Sequence, residues 1–213
     1  MLTYHRYVKW WEHVVGGSAV AGVRVEQRER TRRALVEQAR ALFATRGYGD
    51  VGLAEIVAAA GVTKGALYHQ FDGKTDLFRA VLADVADGVA AAVVAAAREQ
   101  GDDPWAQFTA GSRAFLVAST DPAVARIALV DGPAVLGWSE WRAVDEATSG
   151  RHLVEALETL VARGVLAPRP VEPLAHLLGG AMNEAALWLA VTDEPDALDR
   201  VWAELLAMME ALR

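Results

Sequence analysis

The 213-residue chain is predicted to be all-α. Two observations carry that prediction. Apolar residues recur at i, i+3, i+4 and i+7 through most of the length, and no segment shows the strict alternation of a strand. Proline and glycine clusters also punctuate the chain between periodic segments, where helices would end.

The first long helix is expected over residues 26–46, with Leu35, Ala39, Leu42 and Phe43 making one stripe. Gly47 is a common kind of C-terminal stop. Residues 53–60 form the next helix, with Leu53, Ile56, Val57 and Ala60 at helical spacing. Gly61-Val62 breaks it, and Thr63 opens a short helix over 64–71. Asp72-Gly73 is a turn. From Lys74 a long helix runs to about Gln100, with Leu77, Val81, Val85, Val89, Ala92 and Ala96 on one side. At the usual rise it would span about 40 Å. Gly101-Asp102-Asp103-Pro104 punctuates, and Pro104 suits the first turn of the following helix. Further helices are expected at 104–119, 122–130, 139–163, 171–191 and 196–212. They are separated by Asp121-Pro122, Asp131-Gly132-Pro133, the 164–170 stretch and Glu194-Pro195.

Two short helices joined by a glycine-containing turn are the pattern of a helix-turn-helix. In the second, Ala66, Leu67 and Phe71 can face in while Lys64, Gly65, Tyr68, His69 and Gln70 face out. A polar exposed helix of that chemistry suits the major groove of DNA. The charge distribution agrees. Residues 1–79 hold 12 Lys/Arg against 8 Asp/Glu, a balance of +4, and residues 80–213 hold 9 against 20, a balance of −11. A small basic head can meet a polyanion that an acidic body repels.

Residues 27–79 resemble the DNA-binding domain of the tetracycline-repressor (TetR) family of bacterial transcription regulators. The resemblance is carried by ALFATRGY (41–48), LAEIVAAAGVTKGALYHQF (53–71), and then Lys74, Leu77 and Phe78. It implies three units: an extension over 1–25, a three-helix DNA-binding domain over 26–79, and a helical ligand-binding and dimerisation domain over 80–213. It also implies roles. Thr63 would cap the recognition helix and offer its hydroxyl to a phosphate. Lys64 would reach a phosphate or a guanine edge, and Gly65 would allow close backbone approach. Tyr68 and His69 would donate to phosphates. Lys74 would contact a phosphate at the start of the long helix, and Thr31 or Arg32 could do likewise. Family members often have Ser or Thr just before the second helix; here Gly52 lacks that hydroxyl.

The body is expected to be a sensor. Trp105, Phe108, Phe115, Trp138, Trp141 and Met182 could line an apolar pocket, with Arg113, His152, His176, Asn183 and Glu184 as polar candidates. Helices 171–191 and 196–212 are apolar beyond one face and could make a four-helix interface between two copies. The residues expected there are Leu177, Leu178, Gly180, Ala181, Ala185 and Leu189, with Leu198, Val201, Trp202, Leu205, Leu206 and Met209. The whole is expected to be a homodimeric, ligand-responsive repressor of a palindromic operator, released by a small, largely apolar molecule.

Other classes find little support. Gly47-Tyr48-Gly49-Asp50-Val51-Gly52 satisfies G-x-G-x-x-G but follows a helix, whereas dinucleotide binding requires a preceding strand. Gly137-Trp138-Ser139-Glu140-Trp141 has Trp where a nucleophile elbow needs Gly. The five histidines are scattered and cysteine is absent, so neither a cofactor nor a metal is expected. The longest strictly apolar run, residues 89–97, is far short of the roughly 20 needed for a membrane span. No signal-peptide pattern is seen, and a cytoplasmic location is expected. In the first 25 residues Tyr4, Tyr7, Val8, Trp11, Val14 and Val15 fall at helical spacing, followed by a glycine-rich linker over 16–22. Three readings stay open: an extra packing helix, an arm that touches DNA, or a translated leader.

Overall fold

The computed structural model describes the backbone of residues 4–213 and the side chains of residues 24–213. Helix α1 spans Tyr4–Arg46, so it begins earlier than predicted. No proline interrupts it, and the glycines expected to form a linker lie within the helical backbone. The apolar stripe expected of Tyr4 to Val15 lies outside the described side chains. Gly47 ends α1 with a left-handed φ of 82°, which spares a Cβ clash at the helix stop.

Helices α2 (Leu53–Ala59) and α3 (Lys64–Tyr68) follow, then the rod α4 (Lys74–Arg98). The body comprises α5 (Pro104–Ser119), α6 (Pro122–Ala125), a π-turn (Arg126–Asp131), α7 (Gly132–Leu136), α8 (Trp138–Ala147), α9 (Ser149–Ala162), α10 (Val171–Leu189) and α11 (Ala197–Glu210). Described residues contain no strand. Two sequence expectations are corrected. The helix expected over 139–163 breaks at Thr148, whose backbone (φ −117°, ψ −105°) leaves the helical region. The helix expected over 122–130 passes into the π-turn.

Two apolar cores share α4. One packs Leu35, Phe43, Ile56, Leu67, Phe71, Leu77 and Phe78 beneath the helix-turn-helix, and it continues into the body through Ile127 and Trp141. The other packs Val89, Phe108, Phe115, Leu157, Leu160, Met182, Leu205 and Met209. The expected boundary at residue 80 therefore falls inside one continuous core. By length and hydropathy α4 could cross a membrane, which counting uninterrupted apolar residues misses. In this fold Leu77, Phe78, Val81, Leu82, Val85, Val89 and Ala90 of α4 are buried against protein.

Candidate nucleic-acid interface and body cavity

Helix α3 stands on the surface, anchored by Leu67, which is fully buried. Thr63 caps it: the hydroxyl oxygen accepts from the Ala66 backbone N–H at 3.1 Å. A cap uses a lone pair of the hydroxyl and leaves its hydrogen free to donate. Lys64, Gly65, Tyr68 and His69 are all exposed, Tyr68 with 51% of its surface. The Lys64 ammonium lies 5.9 Å from the Tyr68 ring centroid, so both share one outward face. A Cβ at Gly65 would meet only Thr63 Oγ1, at 3.9 Å.

The other predicted contacts sit differently. Thr31 donates to the Gln27 carbonyl at 3.0 Å, so its hydrogen is held by its own helix in this structure. The exposed Arg32 guanidinium lies 5.1 Å from the Phe71 ring centroid. Lys74 does not point straight outward. Its ammonium lies over the Tyr48 ring, 4.1 Å from the centroid, and burial lowers its pKa against the opposing pull of Asp50 and Asp131. Gly52 caps α2 without a side-chain hydrogen bond, in ordinary extended backbone.

The head is fastened to the body by polar contacts. Asp131 of the π-turn accepts from the Tyr48 backbone N–H at 2.8 Å. Glu140 of α8 pairs with Arg79 of α4, and that hydrogen bond holds the Glu140 carboxyl below its ordinary pKa. Within the body, the Trp141 indole N–H donates to the Ala128 carbonyl at 2.6 Å.

Between α4, α5, α9 and α10 lies a cavity of about 290 Å³. Phe108, Phe115, Met182, His152 and Asn183 line it as expected from sequence, joined by Val93 and Val94 of α4. A wider hollow of about 760 Å³ beside it is lined by Trp138, Trp141, His176 and Glu184, with Asn183 common to both. Trp141 is nonetheless mainly a core residue beneath the head. Two predicted lining residues are corrected. The Trp105 N–H donates to Glu210 at 3.2 Å and its ring packs on Phe108, so it ties α5 to α11. Arg113 is turned outward to Asp199 at 3.4 Å.

Residues 35–81 match the family model described as "Bacterial regulatory proteins, tetR family", and residues 105–212 match "Tetracyclin repressor-like, C-terminal domain". The chain belongs to the TetR family. This is a family of DNA-binding transcriptional regulators, not of enzymes. A TetR-family transcriptional regulator from Pectobacterium atrosepticum is 32% identical, with a TM-score of 0.67, over 88% of this chain and 94% of that one. RolR in complex with resorcinol is 24% identical, with a TM-score of 0.67, over 86% of this chain and 89% of RolR, and shows the shared fold. The transcriptional repressor BepR of Brucella suis is 40% identical over 52 residues, 24% of this chain and 25% of its own. The matched region thus spans about a quarter of the length of such curated relatives.

In this TetR-family chain, sequence reasoning missed Asp145, which lines the cavity, and Arg142, which pairs with it at 3.6 Å. A signal was present. Trp138, Trp141, Arg142 and Asp145 fall at i, i+3, i+4 and i+7, so a charged pair shares a face with two tryptophans. Burial raises the Asp145 pKa, opposed by the Arg142 charge and a hydrogen bond with Asn183. Asp131, Glu140 and Arg79 were missed because nothing local marks a charge that pairs across the chain.

Proposed function

We propose that this chain is a homodimeric repressor that grips a palindromic operator and releases it when a small, largely apolar molecule enters the cavity between α4 and α10. The observation that carries the reading is the exposed α3 face of Thr63, Lys64, Gly65, Tyr68 and His69, mounted on a core continuous with a body that holds an apolar cavity. One short helix reads few base pairs, so two are needed, spaced about 34–36 Å apart to meet successive major grooves.

The outward side of α10 and α11 supplies the pairing surface. Leu177, Trp188, Val191 and Met208 are exposed, and Gly180 and Ala181 allow close helix approach. Leu178, Leu189, Leu205 and Met209 of the expected interface are instead buried within the subunit. That RolR binds resorcinol and that BepR is a repressor support the same reading. Such a protein works where the chromosome is, in the cytoplasm.

The test is selection of bound fragments from a random DNA pool, followed by binding titrations at several salt concentrations. Tyr68→Ala and Lys64→Ala should each weaken operator binding while the dimer persists, and Lys64→Ala should lower the salt slope by about one. Unchanged affinity in both variants would remove α3 from the interface.

A further inference from the structure

Much of the cavity wall is apolar, with Val93, Phe108, Phe115, Leu153 and Met182 among its residues, and Gln107, Ser149, His152 and Thr159 add neutral polar groups. A charged pair marks one side. Asp145, in the last turn of α8, lines the cavity with 19% of its side chain exposed. Arg142 stands 3.6 Å from one carboxylate oxygen, and the Asn183 side chain lies beside the carboxylate. Arg142 lines the neighbouring hollow rather than the cavity, and its other partners there are Glu146 and His176. A carboxylate has about four acceptor positions, and these partners leave some of them unused.

We propose that Asp145 and Asn183 form the specificity-determining end of this cavity, and that its ligand is a small, neutral, largely apolar molecule whose hydroxyl group donates to Asp145. This rests on the reading of the cavity as the effector site. Charge decides among donors. Asp145 repels a ligand carboxylate. An ammonium would gain little, because Arg142 already balances Asp145 and the cation would still lose its water. The remaining charges of the lining, Arg98 and Glu155, are exposed. A neutral hydroxyl meets the free acceptor at small desolvation cost while the rest of the molecule meets apolar walls. Size agrees: a cavity of about 150 Å³ takes benzene, so about 290 Å³ admits one substituted ring.

The test is calorimetric titration of the full-length protein with para-ethylphenol, ethylbenzene, para-ethylbenzoate and para-ethylbenzylamine. The phenol should bind at least about tenfold more tightly than each of the others, as one hydrogen bond to a charged acceptor allows. In Asp145→Ala that advantage over ethylbenzene should shrink to less than about threefold, with ethylbenzene binding retained. If Asp145→Ala does not fold, Asp145→Asn keeps the shape and should still cost the phenol several-fold. Ala156→Phe, which fills the cavity, should abolish both. Equal binding of phenol and ethylbenzene, preference for the benzoate or the amine, or a phenol advantage that survives both Asp145 variants would overturn the assignment and leave the effector cavity standing. A phenol held by Asp145 that never alters operator binding would sink the effector reading instead. No binding by any probe would refute both.

Discussion

Replacing Gly65 with Ala separates folding from DNA recognition, because the two effects have opposite signs. Gly65 is the second residue of α3, two past the Thr63 cap, with no positive φ and open space around it. The nearest atom to an added Cβ is Thr63 Oγ1 at 3.9 Å, an ordinary contact. Within the protein the methyl therefore costs nothing sterically. It gains up to about 1 kcal/mol of helix propensity, which for a chain of this size raises the melting temperature by roughly 2–4 °C. At the DNA the arithmetic reverses. If the α3 backbone comes within van der Waals contact of a duplex, a methyl there overpacks the interface at a cost of about 1–3 kcal/mol, or about five- to a hundred-and-fifty-fold in affinity. The assay pairs urea denaturation with operator binding followed by fluorescence anisotropy, on one preparation. A more stable variant that binds operator as wild type would show that Gly65 does not face the groove closely. A less stable variant would show that the environment of α3 has been misjudged.

Gly52→Ser should bind operator more tightly and leave stability equal or a few tenths of a kcal/mol higher, because the site is open, extended, and lacks the hydroxyl that caps a helix and reaches a phosphate; anisotropy titration checks it, and weaker binding would refute it. Asp145 holds its proton more tightly folded than unfolded, so its contribution to stability is complete below the ordinary carboxylate range and is lost as pH rises through the raised folded value. Asp145→Asn should remove that falling slope, with Arg142, Glu146 and Asn183 unchanged around it, and urea midpoints measured across the acidic range would show it. Glu140→Gln should cost less than about 1 kcal/mol of stability, since the Arg79 pair is well exposed, yet reduce several-fold the loss of operator affinity caused by an effector; an undiminished effector response would exclude Glu140 from the coupling.

The helices of the head were legible because their signals are local. A capping Thr63, a breaking Gly61 and apolar spacing in Leu53, Ile56 and Val57 each act within a turn or two of chain. The body was legible only as helices. Trp105 and Trp138 looked equally suited to a cavity, yet Trp105 ties two helices and Trp138 stands 67% exposed at an open hollow. An aromatic side chain carries the same apolar area in a wall, a core or a seam, so type and spacing do not separate these fates. Lys74 shows the same limit for charge. Position predicted a phosphate contact, whereas Tyr48, Asp50 and Asp131, brought close by the fold, decide where its ammonium rests. No proline marks the break at Thr148, where the hydroxyl donates back to the Val144 and Asp145 carbonyls.

Two rigid routes join the cavity to the DNA-facing head. Helix α4 contributes Val93 and Val94 to the cavity wall and Leu77 and Phe78 to the core beneath α3. It can carry a tilt but passes both cores on the way, so a ligand must repack both to move it. Helix α8 is shorter and more direct. Its last turn presents Asp145 to the cavity, while its first turns hold Arg79 through Glu140 and seat Trp141 in the head's own core. The Trp141 seat has no slack. Its N–H is held by Ala128 of the π-turn, and a Cβ on Gly132 would come within 2.8 Å of its ring. The same π-turn ends in Asp131, which holds the Tyr48 N–H at the end of α1. Packed interiors transmit displacement because they do not compress. A shift of α8 must therefore reach α1 and α4 together, through Trp141, Asp131 and Glu140. A ligand uses this route only by binding one arrangement of α8 better than the other, since equal affinity for both shifts nothing. Asp145, a half-buried carboxylate at the cavity and a residue of α8, is where that difference in affinity can arise.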